Sequence, residues 1–219
     1  MSRTARRPAL DPVVLSVPLT GSCRVQNSPA NRVPSHGTEA FGSSYAIDLV
    51  PVDDRGRSAP PTRRGLLKPE PPELFVGFGL PILAPVAGTV AVVHDGEPDH
   101  EARRSQLALV PYLLGQSRRA KRGAAGLAGN HVVIAIGTDG PYLLLAHLQR
   151  GSVQVRPGQP VSVGIPVGRC GNSGNSTEPH LHLQVSDSTD WPRARGLPFI
   201  FRRQDGSTWL PANSEIVRS

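Results

Sequence analysis

Apolar residues in this chain come in short runs that glycine and proline interrupt. Residues 80–94, "LPILAPVAGTVAVVH", contain one apolar run, a turn at Gly88 and a second apolar run. At 130–149, "NHVVIAIG" and "PYLLLAHLQ" are separated by "TDG", which is typical of a tight hairpin turn. Runs of this length favour strands over long helices, so we predict a mainly β fold.

Two segments break the strand pattern. Residues 53–73 include five prolines and several arginines, which predicts an irregular surface excursion. Residues from about 97 to 126 combine helix-forming residues with a basic end, and we predict a helical insertion between two strands of one sheet. We expect residues 1–20 to form an N-terminal arm and first strand, 21–203 the β domain, and 204–219 a C-terminal tail.

Residues 180–185, "HLHLQV", alternate between polar and apolar side chains. In a β-strand, residues two apart point to the same side, so His180, His182 and Gln184 share one face. We predict that the leucine face packs into the core and that the histidine face lines a groove. Two surface histidines on a half-exposed strand would produce the same pattern, so the pattern alone leaves both interpretations open.

Three further polar residues are candidates for chemistry. Asp48 lies in the apolar run "YAIDLV", where a carboxylate needs either an arginine or a metal ion as its partner. His147 ends the run "YLLLAHL" and is either a hydrogen-bonded core residue or a catalyst. His36, in the loop "VPSHGT", is either simply exposed or part of a site. Two imidazoles and one carboxylate together can hold zinc and leave a fourth position to water.

Composition excludes several other kinds of site. The formal net charge is +7 and arginines occur in clusters, but no zinc-finger spacing or aromatic pair accompanies them, so we do not expect nucleic-acid binding. Cys23 and Cys170 are too few for a disulfide framework. No run approaches the roughly 18 apolar residues of a membrane span, and no signal peptide is evident. We expect a cytoplasmic protein by default, with export by another route remaining possible.

The chain resembles the lysostaphin-type (LytM-like) zinc metalloendopeptidases, which hydrolyse peptide bonds of bacterial peptidoglycan. The resemblance is carried by "SHGTEAFGSSYAIDLV", "ILAPVAGTVAVV", "GNHVVIAIG" and "LLLAHLQRGSVQVRPGQPVSVGIPVGRCGNSGNSTEPHLHLQV", within residues 35–185. It implies an antiparallel β-sheet folded into a groove, related to barrel-sandwich hybrids, which here carries the helical insertion. It also implies one zinc ion per chain.

The resemblance assigns a role to each candidate residue. It makes His36, Asp48 and His182 the zinc ligands, and His147 and His180 the pair that activates the water and steadies the oxyanion. The spacing departs from the family form H-x-x-x-D, because eleven residues separate the first histidine from the aspartate. Gln184 stands where many family members have glutamate.

We therefore expect a zinc-dependent endopeptidase that acts on stem peptides or cross-bridges of peptidoglycan, with no nucleic-acid or membrane partner. The alternative is a non-catalytic peptide- or wall-binding protein that keeps the same fold. A biotinyl- or lipoyl-like carrier is a third possibility, because "APVAGTVAVV" and "VRPGQPVSVG" resemble turns of that barrel. Such a carrier needs a lysine at a hairpin tip, and Lys68 and Lys121 both lie in excursions.

Overall fold

The structure is a computed structural model that describes residues 11–62, 68–103 and 123–219. One α-helix, α1 (Gly123–Ala128), and two 3-10 helices, Ala40–Tyr45 and Pro72–Leu74, lie in these ranges. The strands are β1 (Val13–Leu15), β2 (Ser22–Gln26), β3 (Ile47–Pro51), β4 (Pro81–Leu83), β5 (Gly88–His94), β6 (Asn130–Ala135), β7 (Tyr142–Leu148), β8 (Pro160–Val161), β9 (Pro166–Arg169), β10 (Leu181–Ser186), β11 (Gly196–Leu197), β12 (Phe199–Arg202), β13 (Thr208–Trp209) and β14 (Ile216–Arg218).

A nine-stranded sheet dominates the fold. Its order is β14-β2-β3-β10-β7-β6-β5-β8, and β11 pairs with β10 beside this path. Every pairing in this sheet is antiparallel. β1, β12 and β13 form a second, three-stranded sheet, and β4 pairs with β9. The prediction of a mainly β, antiparallel fold is confirmed.

Strand alternation divides β10 between the core and the opposite face of the sheet. Leu181, Leu183 and Val185 are fully buried in the main hydrophobic core, as predicted. Ile47 and Leu49 of β3 belong to the same core. Packing these faces together removes apolar area from water at roughly 25 cal/mol per Å². The polar residues between them must therefore point away from the core.

The register of the sheet aligns three central strands. β3 and β7 flank β10, so that His182 lies opposite Asp48 on one side and opposite Ala146 on the other. Cross-strand neighbours in an antiparallel pair lie close enough for their side chains to touch. Residues that are far apart in sequence therefore meet at the centre of the sheet.

The insertion begins and ends beside one strand junction. β5 and β6 are antiparallel neighbours, as predicted for the strands that flank it, and α1 stands at its exit. Asn130, at the start of β6, closes the base: Oδ1 accepts hydrogen bonds from the backbone N–H groups of Gly96 and Glu97, and Nδ2 donates to the carbonyls of Glu97 and Leu148. Most of the predicted helix, 104–122, lies outside the described residues.

The predicted outer segments contain regular structure where they are described. The excursion at 53–73, expected to be irregular, includes the short 3-10 helix Pro72–Leu74, since proline suits the first helical position. Residues 204–219 include β13 and β14, and β14 pairs with β2 in the nine-stranded sheet. The domain boundaries themselves stay a prediction. Among the described residues, no helix is both long and apolar enough to cross a membrane.

Candidate metal centre and active-site groove

The five predicted site residues lie together along one groove. It has a volume of about 460 Å³. Its lining residues are Gln26, Asn27, His36, Thr38, Ala40, Phe41, Ser43, Asp48, Val50, Leu127, Ala128, Leu144, His147, Asn175, Thr177, Glu178, His180, His182, Gln184 and Trp191. The predicted histidine face of β10 therefore does line a groove.

Three side chains converge at the floor of the groove. The Nε2 atom of His36 lies 3.1 Å from Oδ2 of Asp48, and Nδ1 of His182 lies 2.9 Å from Oδ1 of Asp48. One donor atom from each of the three residues lies within 4.8 Å of the others. β3 and β10 supply two of them through direct cross-strand pairing. The third arrives from the loop before the 3-10 helix Ala40–Tyr45.

Each of these two imidazoles has a hydrogen-bond partner on the side of the ring that faces away from Asp48. The hydroxyl of Ser35 donates to the Ser43 carbonyl, so its oxygen is free to accept from Nδ1 of His36, 3.0 Å away. The amide nitrogen of Gln184 donates to the Phe41 carbonyl, which turns its Oε1 towards Nε2 of His182, 3.1 Å away. Each outer nitrogen thus has an oxygen that can accept its proton, which leaves the inner nitrogen available as a metal ligand.

The positions of these nitrogens and the chemistry of the donor set determine whether the three residues fit a metal ion. The inner nitrogens of His36 and His182 lie 3.1 Å and 2.9 Å from the two oxygens of the Asp48 carboxylate. Two nitrogens and one carboxylate are a donor set that zinc accepts, and ligands of one tetrahedral zinc lie roughly 3.3 Å apart. The residues present therefore fit zinc.

Asp48 is held as a carboxylate by its neighbours. It is 6% exposed and receives a hydrogen bond of 2.7 Å from Nδ2 of Asn27. Burial by itself would raise its pKa, but the imidazoles of His36 and His180 outweigh burial and lower the pKa well below the usual value. No arginine in the described ranges pairs with Asp48. Of the two partners expected for this buried carboxylate, this favours a metal ion over an arginine.

His147 occupies a distorted point of β7. The four residues 145–148 of β7 lie opposite only three residues, 130–132, of β6. β7 therefore has a β-bulge at His147. Its φ is 63°, in the left-handed region of backbone conformation that residues other than glycine rarely adopt. Nδ1 donates to the Ser173 carbonyl at 2.9 Å. Burial, followed by repulsion from the other histidines, lowers the pKa of His147 well below its ordinary value, so the ring is neutral with Nε2 as an acceptor.

His180 stands just before β10 and beside His147, with ring centroids 4.8 Å apart. Its Nδ1 donates to the Glu178 carbonyl at 2.8 Å, and its Nε2 lies 3.6 Å from Oδ1 of Asp48. Burial alone would lower its pKa, but the Asp48 carboxylate outweighs burial and the pKa is raised. In the metal-free site, the pKa values of these two neighbouring histidines are thus displaced in opposite directions.

Sequence reasoning missed the residues that orient this set. Asn27 donates to Asp48 from the end of β2, at a positive φ of 49° that no pattern in the sequence indicates. Ser35 and the carbonyl of Ser173 set the tautomers of two histidines. A serine directly before His36 was the single visible signal, and a backbone carbonyl leaves no signal at all.

A β-groove with a His-Asp-His cluster defines a candidate metal-dependent hydrolase. Residues 115–192 match peptidase family M23, which confirms the predicted resemblance to the LytM-like peptidases. The match covers less than half of the chain. It includes His147, His180 and His182, whereas His36 and Asp48 lie before it. No curated protein matches the sequence.

Solved structures of M23 proteins are similar to this fold in part. The catalytic domain of the prophage-encoded M23 protein EnpA from Enterococcus faecalis is 19% identical with a TM-score of 0.38, covering 70% of this chain and 73% of that one. Lysostaphin from Staphylococcus simulans is 18% identical with a TM-score of 0.38, covering 73% and 45%. A putative peptidase M23 from Pseudomonas aeruginosa is 18% identical with a TM-score of 0.41, covering 88% and 52%. The chain thus spans about half the length of the latter two.

Proposed function

We propose that this protein is a zinc-dependent endopeptidase that hydrolyses peptide bonds in the stem peptides or cross-bridges of peptidoglycan. The observation that carries the proposal is the convergence of His36, Asp48 and His182, whose inner nitrogens face a buried carboxylate. The neighbouring His147 and His180 supply the acid and base that hydrolysis needs. The substrate class follows from the resemblance to LytM-like peptidases.

The five side chains have two different roles, metal binding and proton transfer. His36, Asp48 and His182 would hold the zinc ion, which when bound supplies a Lewis acid that polarises a peptide carbonyl and acidifies water. His147, neutral and with Nε2 free, accepts a proton from the attacking water. His180, when protonated, donates its Nε2–H to the developing oxyanion.

The groove walls orient the substrate. Phe41, Leu127 and Trp191 bring apolar surface to the lining, to which Asn175 adds a polar side chain. Apolar walls bind the substrate and exclude water from around the polar centre, which strengthens each hydrogen bond and charge interaction there. An extended peptide laid along these walls would pass over His147 and His180.

Zinc analysis paired with digestion of defined muropeptides tests the proposal. We expect about one zinc per chain in protein purified without added metal, and release of new amino groups from purified muropeptides. His182→Ala should lose the zinc, because only two ligands remain. His147→Ala should keep the zinc and lose activity by about 10²- to 10⁴-fold.

Two outcomes would contradict the proposal. Full activity of metal-free protein would show that hydrolysis does not use the cluster. Zinc retained equally by Asp48→Ala and His182→Ala would show that the metal binds elsewhere. A non-catalytic binding protein with this fold would bind peptidoglycan and leave every peptide bond intact.

A further inference from the structure

The groove differs in charge from the chain that surrounds it. The chain has 24 lysines and arginines against 17 acidic residues, yet none of the lysines and arginines in the described ranges lines the groove. The lining contains two carboxylates, Asp48 and Glu178. Asp48 is engaged by Asn27 and the histidines. Glu178 therefore remains as the carboxylate that faces the groove without a metal to bind.

Glu178 is anchored through one of its two carboxylate oxygens. Oε2 accepts a hydrogen bond of 2.6 Å from the hydroxyl of Ser58. Ser58 is itself 6% exposed, and its carbonyl accepts from the backbone N–H of Val76, so the anchor is fixed within the excursion. Oε1 has no hydrogen bond to any of the described residues, and Glu178 forms no ion pair with them.

The backbone of Glu178 is hydrogen-bonded to one of the candidate catalytic residues. Its carbonyl accepts from Nδ1 of His180 at 2.8 Å and from the hydroxyl of Ser176 at 2.8 Å. These bonds fix the peptide at 178 relative to the candidate catalytic ring two residues later. A group that meets the side chain of Glu178 therefore lies in the same groove as His180.

We propose that Glu178 is a specificity residue, which binds a primary ammonium group of the peptide substrate within the groove. The proposal rests on the function proposed above. A carboxylate with one oxygen anchored and the other free is a fixed acceptor for a compact cation with three N–H donors. The groove's apolar walls weaken solvent screening, which strengthens this attraction and disfavours anionic groups at the same position.

The excursion acquires a function under this proposal. Ser58 holds the carboxylate in one orientation, which lowers the entropy lost when the substrate binds. A purely structural role is the competing account: Glu178 would then only fasten the excursion to the loop before β10. In that case Glu178→Gln and Ser58→Ala would lower stability and slow every substrate by the same factor.

Selective acetylation of the substrate separates these accounts. Purified muropeptides are treated with acetic anhydride, which removes the charge of their amines, or mock-treated. We expect the wild type to have a kcat/KM roughly ten- to a hundredfold higher for the amine form, the range of a charge-assisted hydrogen bond. Glu178→Gln should abolish this preference, and Ser58→Ala should reduce it. Glu73→Gln, an identical charge change at an exposed site outside the groove, should keep it.

The possible outcomes test the ammonium site and the endopeptidase function separately. Equal cleavage of both forms by the wild type would overturn the ammonium site and leave the endopeptidase proposal intact. A preference that persists in Glu178→Gln would also overturn it, since the added bulk of the acetyl group would be the cause. If neither form is cleaved, the endopeptidase proposal fails, and calorimetric titration of the two forms decides the ammonium site. Equal affinity rejects it, and tighter binding of the amine form, lost in Glu178→Gln, sustains it.

Discussion

Replacement of Gln184 by methionine should weaken zinc binding even though this residue is not a proposed ligand. The side chain is 3% exposed and bridges two groups. Its Oε1 accepts from Nε2 of His182 at 3.1 Å, and its Nε2 donates to the Phe41 carbonyl at 2.8 Å. Methionine has a similar volume and can make neither bond, so Gln184→Met removes both without opening a large cavity.

The two lost bonds have separable consequences. Without the acceptor for its outer nitrogen, the His182 ring is free to rotate and to carry its proton on the inner nitrogen, which competes with metal. Loss of such an outer partner typically costs 10- to 100-fold in metal affinity, about 1.4–2.7 kcal/mol. Loss of the donor to Phe41 leaves a carbonyl unpaired and should lower the free energy of unfolding by about 1–3 kcal/mol.

A chelator-competition titration measures the zinc affinity, and urea unfolding of the metal-free protein measures stability. Gln154→Met, at an exposed glutamine outside the groove, is the matched control and should change neither quantity. A zinc affinity within about twofold of the wild type, together with lower stability, would refute the reasoning. Gln184 would then support the fold alone and have no effect on His182.

Three further predictions follow from buried groups. The pKa of His180, raised by Asp48, should fall when zinc neutralises that carboxylate. NMR titration of the histidines with and without zinc measures this pKa, and an unchanged value would contradict the assignment of Asp48 as a zinc ligand. Burial, and after it the nearby His94, lowers the pKa of His131 in the folded protein. The unfolded chain therefore takes up this proton first as the pH falls below about 6.5, and the folded protein loses stability by about 1.4 kcal/mol per unit of pKa difference. Urea unfolding at pH 8 and pH 5 should therefore show a smaller acid loss in His131→Asn than in the wild type, and equal losses would refute this. Leu181→Ala, at a fully buried site, should cost about 2–5 kcal/mol of unfolding free energy, and a cost below 1 kcal/mol would contradict the core assignment.

Local sequence patterns predicted the parts of the fold that follow from strand alternation and tight turns. The alternation at 180–185 separated the leucines of the core from the histidines of the groove, and the "TDG" turn placed β6 and β7 side by side. Both are short-range consequences of strand geometry. The resemblance then joined Asp48 and His36 to the set, which no spacing rule alone would have brought together.

Other parts depend on contacts that no local pattern encodes. The bulge that turns His147 towards the groove arises from a register shift between β6 and β7, which depends on the pairing of both strands. Asn27 reaches Asp48 from the end of β2, through a positive φ. The anchoring of Glu178 by Ser58 joins residues 120 positions apart. Each of these contacts forms only once the sheet has assembled.

The closed base of the insertion makes that segment modular. Asn130, the first residue of β6, is hydrogen-bonded directly to Gly96 and Glu97, so the chain before the insertion is joined to the strand after it. Each doubling in the length of a flexible loop costs only about 0.6 kcal/mol of closure entropy. Evolution can therefore lengthen, shorten or replace the sequence between Glu97 and Asn130 at little thermodynamic cost, without rebuilding the sheet that forms the floor of the groove.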